Sequence, residues 1–293
     1  MCRLFGMTTG DTPVEASFWL LDAPDSLRAQ SRRMPDGVGL GWFGIGGEPV
    51  RDRAPIAAFA DREFETEARV MRSDTFVAHV RYATTGRPEV HNTHPFDMRD
   101  RLFAHNGVLR GLDVLRTWLS PADLALVEGE TDSELLFAWI TARVAALGDT
   151  RAGIVDAIAR VAAELPVYAL NFVLAEHGRI WALRYPDVHQ LWVLKPGPAS
   201  TRGRGEPMRV ADRSGRLRMT SVEPRVPSVV VASEMMDDDP DWRLLEPGEL
   251  LGTDGTRCWS AFPFGEPAHR LTKADLSEHE ATAQEPGRAV PAG

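Results

Sequence analysis

The sequence is poor in cysteine and contains no recognisable export signal, and both features narrow what the protein can be. Only two cysteines occur in 293 residues, Cys2 and Cys258, so the chain can form at most one internal disulfide. We therefore expect a reduced, cytoplasmic protein rather than a disulfide-stabilised secreted one. The N-terminal residues also lack the basic region, the apolar stretch and the small-residue cleavage site of a secretory signal.

Basic residues are in the minority, and long apolar runs are absent. The 33 Lys and Arg residues against 42 Asp and Glu residues give a formal net charge of -9. Nucleic acids and acidic lipids bind clustered positive charge, so we expect neither as a partner. No apolar run is long enough to cross a bilayer. With 43% hydrophobic residues, the chain is long enough to bury a sizeable core.

Local patterns predict strands on either side of a helical middle. Thr12 and Pro13 indicate the start of a first helix, and Thr131 with Glu134 has the form of a capping box for a second. The predicted strands are 4–8, 37–43, 75–82, 103–106, 168–175, 180–185, 190–194, 228–232 and 249–252, and the predicted helices are 13–21, one beginning at 132, and 152–165. This order is typical of two sheets covered by helices within one domain.

The C-terminal residues differ from the rest of the chain. From about residue 265 there is little periodic apolar pattern. We therefore place the domain at residues 1–264 and expect 265–293 to be a mobile tail.

Cys2 is the first candidate for a catalytic residue. Removal of Met1 would leave Cys2 with both a thiol and a free α-amine. Their reference pKa values are about 8.5 and about 8, so a small shift suits them to act as nucleophile and base near neutrality. The amine can accept the thiol proton and later pass it to a leaving amine. A cysteine at position two is common by chance, however, and means little by itself.

Four further segments give this cysteine a context. They are 81–86 (RYATTG), 92–96 (NTHPF), 104–107 (AHNG) and 129–132 (GETD). Together with the opening MCRLFG, their order and approximate spacing resemble the class II glutamine amidotransferases, a branch of the N-terminal-nucleophile hydrolases. The later parts of the chain look like the stand-alone, single-domain members. The resemblance implies an α+β fold, a four-layer α/β/β/α sandwich.

The same resemblance implies a role for each of five residues. Cys2 is the expected nucleophile, and Asn106 with the backbone N–H of Gly107 is expected to form the oxyanion hole. Arg81 is expected to bind the substrate α-carboxylate, because a guanidinium pairs with a carboxylate through two parallel hydrogen bonds. Asp132 is expected to accept from the α-ammonium group. The mechanism requires no cofactor and no metal.

Two more residues of these segments are predicted to line the substrate site, namely Thr84 and His94. His94 precedes Pro95, and we expect this pair to form a rigid turn in which the histidine is hydrogen-bonded. Members fused to synthase domains often carry Trp and His where this chain has Tyr82 and Thr85, so the resemblance does not fix glutamine as the substrate.

Each binding residue also has a purely structural interpretation. Arg81 could form a surface ion pair, and Asp132 could serve only the positive end of a helix dipole. Asn106 followed by Gly107 is a common hairpin-turn dipeptide. The combination with Cys2 favours function over these separate interpretations.

Two hypotheses of another kind stay open. His79, His91, His94 and His105 lie in one short stretch with nearby carboxylates, which is compatible with a metal-dependent hydrolase. No metal-binding helix motif accompanies them. Alternatively, the chain supplies ammonia and is active only with a synthase partner, because no nucleotide-binding or sugar-binding pattern follows the catalytic half.

Two substrates fit the predicted reaction. One is free glutamine, with ammonia passed to a partner protein. The other is a γ-glutamyl conjugate cleaved outright, as in the stand-alone family member of ergothioneine synthesis, which this chain partly resembles. A bulky conjugate requires a pocket that is open beyond the leaving nitrogen, whereas glutamine requires a closed or channelled one.

Overall fold

The computed structural model describes residues 2–83, 86–196, 208–211, 217–221 and 226–283. The strands are β1 Arg3–Thr8, β2 Gly37–Phe43, β3 Pro49–Ala54, β4 Thr75–Arg81, β5 Phe96–Met98, β6 Arg101–Leu109, β7 Pro166–Glu176, β8 Arg179–Leu183, β9 Trp192–Leu194, β10 Met208–Ala211, β11 Leu217–Ser221, β12 Val229–Ala232, β13 Arg243–Leu244, β14 Leu250–Asp254, β15 Arg257–Ala261 and β16 His269–Arg270.

Helices lie between and after these strands. The α-helices are α1 Leu27–Gln30, α2 Arg62–Val70, α3 Leu112–Thr117, α4 Pro121–Leu124, α5 Asp132–Leu147, α6 Thr150–Glu164 and α7 Glu278–Ala283. Single turns of π-helix or 3-10 helix occur at Phe18–Asp22, Val90–Asn92 and Lys273–Asp275. None of the described helices is long and apolar enough to span a membrane.

Two large sheets organise the strands. The first has the order β13-β9-β12-β1-β4-β2-β3, with β1 antiparallel to both β4 and β12. The second has the order β15-β14-β8-β7-β6-β5, and β16 joins it parallel to β7. Strands β1 and β4 therefore lie inside the first sheet, and β6 lies next to β5, the edge strand of the second.

The sheets stack face to face, and helices cover their outer sides. An apolar core that includes Leu4, Val77, Ala104 and Val173 occupies much of the space between the sheets. On the outside of the first sheet, α1, α2 and the π-helical turn pack against Phe5 and its neighbours. On the outside of the second sheet, α5 and α6 form the larger core. This α/β/β/α order confirms the predicted four-layer α+β sandwich.

Side-chain caps begin the two long helices, and a left-handed glycine ends the first of them. The hydroxyl of Thr131 accepts the N–H of Glu134 at 3.2 Å, and Gly148 ends α5 in the left-handed conformation. Asp149 caps α6 through Ala152 N–H at 2.7 Å. The predicted reciprocal half of the capping box is wrong, because the Glu134 carboxylate turns to backbone groups outside the helix.

The predicted first helix is also largely wrong. Only Phe18–Asp22 is helical, as a single π-helical turn. The preceding residues are extended, because Val14 and Ser73 exchange backbone hydrogen bonds of 2.9 and 3.0 Å. Pairing with a distant segment therefore overrides the helix-start signal at Thr12 and Pro13.

The C-terminal segment packs on the domain as far as the structure describes it. Leu271 N–H donates to Val167 at 2.8 Å, and Leu276 and Ala283 are buried. Residues 284–293 lie outside the described residues. That 265–293 is mobile stays a prediction, but residues up to Ala283 have defined contacts.

Candidate active site

Strand alternation directs Cys2 and Arg81 towards the space between the sheets. Successive side chains of a strand point to opposite faces, so residues two or four apart share a face. Leu4 lies in the core between the sheets, and Cys2 precedes it by two positions. Val77 lies in the same core, and Arg81 follows it by four positions on β4. The first sheet thus presents a thiol and a guanidinium on one face.

The sulfur of Cys2 lies against the backbone of Tyr82. Tyr82 N–H donates to Sγ at 3.3 Å, and the thiol donates to the Tyr82 carbonyl at 3.4 Å. Burial raises the pKa of the Cys2 thiol, although the Tyr82 N–H, Arg81 and Arg3 act in the opposite direction. The group is therefore a neutral thiol at neutral pH and needs a base to become a nucleophile.

A charged network that the sequence reasoning missed fixes the backbone of the nucleophile. Arg3 is buried, and its guanidinium donates to the Cys2 carbonyl at 3.2 Å and to the carboxylate of Glu234. Arg33 donates to the other oxygen of Glu234 at 2.8 Å. The neighbouring Ser233 hydroxyl accepts from Leu4 N–H at 2.9 Å. In the sequence, the position of Arg3 next to Cys2 is one signal for this network, and the Ser233-Glu234 pair, which also occurs in the stand-alone members, is another.

Arg81 is buried and held by the chain that follows it. Its guanidinium donates to the carbonyls of Arg87 at 3.0 Å and Gly86 at 3.2 Å. Burial lowers the pKa of Arg81, while Cys2 and Asp36 act in the opposite direction. Because Arg81 is buried at the site, the surface ion-pair interpretation is wrong.

Asn106 and Gly107 do not form the predicted turn. They continue β6, where Asn106 pairs with Asn171 and Gly107 with Leu170. Ala104 lies in the core between the sheets, so Asn106 projects from the second sheet into the same space as Cys2 and Arg81. Asn106 is buried, and among the described residues its side-chain amide has no hydrogen-bond partner.

Gly107 is required at its position by the packing of β7. A Cβ at this residue would lie 1.8 Å from the carbonyl oxygen of Ala169. Leu170, which pairs with Gly107, donates its N–H away from β6 to Tyr185 at 2.7 Å. Gly107 therefore forms a non-hydrogen-bonded pair, and its own N–H points to the edge of β6 opposite β7. Among the described residues no acceptor faces this N–H, so a backbone donor is available next to the Asn106 amide.

Asp132 lies at the first position of α5 and is anchored to β6. Its carboxylate accepts from Leu109 N–H and from Ser133 N–H, each at 2.9 Å. Ser133 in turn shares a 2.9 Å hydrogen bond with Nδ1 of His105. The carboxylate is therefore fixed to the strand that carries Asn106.

Asn92 connects the Arg81 and Asp132 segments, and sequence reasoning gave it no role. Its Nδ2 donates to the Arg87 carbonyl at 3.3 Å, and its Oδ1 accepts from Glu130 N–H at 2.9 Å. The Glu134 carboxylate secures the same segment through Gly129 N–H at 2.6 Å. Burial raises the pKa of Glu134, which these backbone donors partly offset.

The family model described as class II glutamine amidotransferases matches residues 1–273. The chain belongs to this family. It is 34% identical over 253 residues to the gamma-glutamyl-hercynylcysteine sulfoxide hydrolase of Mycobacterium tuberculosis, covering 83% of this chain and 88% of that one. It is 28% identical over 282 residues to the putative glutamine amidotransferase YafJ of Escherichia coli, covering 91% and 99%.

Solved structures agree on the fold. The glutamine phosphoribosylpyrophosphate amidotransferase of B. subtilis aligns with a TM-score of 0.63 and 19% identity, covering 91% of this chain and 50% of that one. The chain with the sequence printed above is therefore an enzyme that hydrolyses the γ-amide of glutamine or of a γ-glutamyl compound.

The four histidines of the metal hypothesis do not form one cluster in the amidotransferase. His91 is partly exposed and lies 3.0 Å from Glu89, whereas His79, His94 and His105 are buried. Within the described ranges, no three His, Cys, Asp or Glu side chains are grouped so that they could hold a metal ion.

His79 and His94 are buried as neutral rings that pack against each other. The rings of His79 and His94 have centroids 4.3 Å apart, and none of their four nitrogens has a hydrogen-bond partner among the described residues. The predicted hydrogen bond of His94 is therefore wrong, and its ring packs against His79 and Phe96 instead. Burial lowers the pKa of His79 to about 3 and that of His94 well below its usual value. Thr84, the other predicted substrate residue, lies outside the described residues.

Proposed function

We propose that the mature chain begins at Cys2 and hydrolyses γ-glutamyl amides through a thioester on that residue. The observation that carries the proposal is the convergence of Cys2, Arg81 and Asn106 on the space between the two sheets. One sheet supplies the thiol and the guanidinium, and the other supplies an amide without a partner. These groups match the carbonyl carbon, the carbonyl oxygen and the α-carboxylate of a γ-glutamyl amide.

The reaction has two halves. The α-amine of Cys2 accepts the thiol proton, and Sγ attacks the γ-carbonyl carbon to give a tetrahedral oxyanion. The carbon–nitrogen bond then breaks, and the leaving amine takes the proton from the α-ammonium group. Water next attacks the glutamyl thioester, with the α-amine again as base, and the products are glutamate and the free thiol.

The second sheet stabilises the oxyanion. The Asn106 amide and the Gly107 N–H donate to the oxygen as its negative charge develops. Both donors lie on β6, which pairs with β7 along its length, so they do not have to reorganise during the reaction. Asn106 and Gly107 are therefore assigned as catalytic residues together with Cys2.

The α end of the substrate binds away from the reacting carbonyl. Arg81 pairs with the α-carboxylate, and Asp132 accepts from the α-ammonium. Asn92 keeps the segments that carry these two charges in a fixed relation, because it bonds to both. Recognition of both charges restricts cleavage to γ-linked rather than α-linked glutamyl groups.

We infer that the preferred substrate is a γ-glutamyl conjugate with an amine larger than ammonia. Support comes from the 34% identity to a γ-glutamyl conjugate hydrolase along most of both chains. Tyr82 is in keeping with this inference, because this residue lies against the nucleophile where the synthase-fused members often carry tryptophan.

Glutamine is the second candidate substrate. It is favoured by the similarity to the putative glutamine amidotransferase of E. coli, of which this chain covers 99%. In that case the ammonia would pass to a synthase partner, because the proposed chemistry leaves it unused.

Rates of glutamate release distinguish the two candidates. We expect kcat/KM for γ-glutamylcysteine and γ-glutamyl anilide to exceed that for glutamine by at least about tenfold, since the amine group adds apolar contact area. An α-glutamyl amide is the matched control and should not be cleaved. A preference for glutamine would reject the conjugate and favour the ammonia-supplying function.

A further inference from the structure

The residues that follow Arg81 are clamped from two sides at Ala83. The N–H of Ala83 donates to a carboxylate oxygen of Asp36 at 2.9 Å. The carbonyl of Ala83 is 2.8 Å from Nε2 of His279, which donates to it. Asp36 also donates its own N–H to the Arg81 carbonyl at 3.1 Å. One clamp therefore comes from the turn before β2 and the other from α7, nearly two hundred residues along the chain.

Ala83 lies directly beside the reacting groups. Tyr82, the preceding residue, contacts the Cys2 sulfur through both its N–H and its carbonyl. Arg81, one residue earlier, carries the guanidinium proposed to bind the α-carboxylate. A shift of the Ala83 peptide would therefore move the backbone that contacts the nucleophile and that continues from Arg81.

The helix that carries His279 is anchored to the second sheet. Glu280 of α7 pairs with Arg110, just after β6, at 2.8 Å. Leu276, with Ala281 beside it, packs against Val108 and Ala169, which flank the Gly107 position. The C-terminal segment thus rests on the strand of the oxyanion donors and reaches across to the first sheet.

The anchoring on the second sheet extends beyond this helix. His269 and Arg270 pair in parallel with Pro166 and Val167 at the start of β7. The N–H of Ala268 also donates to Ala162 of α6 at 2.8 Å. These contacts fix residues 268–270 to the second sheet, so the position of α7, which bonds to Ala83, is also fixed.

We propose that the segment 268–283 is a strap that sets the position of the nucleophile's backbone contacts, with His279 as the positioning residue. The strap links the oxyanion strand to the residues after Arg81, so the two halves of the site keep their spacing. This inference rests on the proposed function for its kinetic consequence, but its structural consequence is independent of the reaction.

The test compares His279→Ala with two matched variants in the full chain. His279→Gln places an amide nitrogen near the position of Nε2 and can restore the hydrogen bond to Ala83. His269→Ala removes another exposed histidine of the same strap, which makes no contact with Ala83. All three variants are measured for hydrogen exchange at the Tyr82 and Ala83 amides and for hydrolysis of a γ-glutamyl amide.

We expect His279→Ala to speed hydrogen exchange at the Ala83 amide by about fivefold to tenfold. This factor corresponds to the net stabilisation that one ordinary hydrogen bond provides. KM for the γ-glutamyl amide should rise by a similar factor, with kcat changed less. His279→Gln should recover at least half of both effects, and His269→Ala should resemble the wild type.

Two results would overturn the proposal that residues 268–283 position the backbone at Ala83. One is unchanged exchange at Ala83 in His279→Ala. The other is an equal effect of His279→Ala and His269→Ala, which would indicate general loosening of the segment. A wild-type protein that is inactive on every γ-glutamyl amide would reject the proposed function, while the exchange data would still decide the strap.

Discussion

Asn92 and Arg81 donate to the same oxygen, the backbone carbonyl of Arg87. The Asn92 amide donates at 3.3 Å and the Arg81 guanidinium at 3.0 Å. The other end of the Asn92 amide accepts from Glu130, two residues before Asp132. One buried side chain thus relates the two charges that are proposed to bind the α end of the substrate.

Replacement of Asn92 by alanine should impair substrate binding more than the chemical step. Both hydrogen bonds are lost at a buried position, so Arg81 and Asp132 lose their fixed relation. We expect KM to rise by about tenfold or more, since each bond contributes on the order of 1 kcal/mol. Steady-state kinetics on a γ-glutamyl amide provide the measurement.

The matched control for Asn92 is Thr93→Val. Thr93 is equally buried in the same turn, but its hydroxyl donates only to Glu89 at 2.9 Å. The Thr93→Val substitution should alter stability slightly and leave KM within about twofold of the wild type. If the two variants raise KM equally, Asn92 has no specific coupling role.

Replacement of Asn106 by alanine should reduce kcat with little change in stability. The Asn106 amide makes no hydrogen bond to the described residues, so none of the hydrogen bonds among them is lost. Loss of one oxyanion donor costs about 3 kcal/mol of transition-state stabilisation, or roughly a hundredfold in kcat. Rates and thermal unfolding of the same preparation test both statements.

Asn171 is the natural control, because it pairs with Asn106 across the sheet. Its amide is buried and bonded to Tyr185 N–H at 3.0 Å and to the carbonyls of His189 and Gln190. Asn171→Ala should therefore lower stability by about 1–3 kcal/mol. A stability loss in Asn106→Ala as large as that in Asn171→Ala would make Asn106 a structural residue.

The buried histidines should make the protein sensitive to acid. In the unfolded chain a histidine has a pKa of about 6.5, whereas burial holds the pKa of His79 at about 3 in the folded state. Below about pH 6.5 the unfolded chain binds more protons, so stability is lost as the pH falls from there towards 3. The contribution of His79 between pH 6.5 and pH 5 is about 2 kcal/mol.

The variant His79→Phe removes the contribution of His79 to the pH dependence of stability. Its free energy of unfolding should fall less steeply between pH 6.5 and pH 5 than that of the wild type, by about 1 kcal/mol per pH unit on average. Leu251→Ala, a buried apolar control, should lower stability at every pH without a change in slope. Identical slopes for His79→Phe and the wild type would show that His79 is not buried in its neutral form.

The sequence predicted the central strands and the site residues for different reasons. Strands such as β4 have a strong local signal, because β-branched and aromatic residues fill them. Cys2, Arg81 and Asn106 came from spaced segments that resemble a family, and their common orientation depends on two sheets that no local pattern describes. The structure directs these three residues towards the space between the sheets, and their roles are proposals.

The failures share one physical cause, which is pairing with distant parts of the chain. Asn106 and Gly107 have the local signal of a hairpin turn, but β7 pairs with β6 along its length and keeps them extended. The extended backbone at Val14 is likewise fixed by Ser73. Local propensity contributes less than such pairing once a neighbouring strand is present.

The C-terminal segment was unpredictable for a related reason. Its contacts involve a few isolated apolar side chains, such as Leu276 and Ala283, rather than a periodic face. The contact of His279 with Ala83 joins residues with no shared motif. Similarly, nothing local to Asn92 indicates that it bonds to Glu130.

The identity of the nucleophile is the central claim, and the two cysteines of the chain allow a direct test. The measurement is glutamate release from a γ-glutamyl amide by the wild type, Cys2→Ala and Cys258→Ala. Cys258 is partly buried on β15, away from the strands that carry the site. The account predicts that release is abolished in Cys2→Ala and retained in Cys258→Ala. Release by Cys2→Ala at the wild-type rate would contradict it.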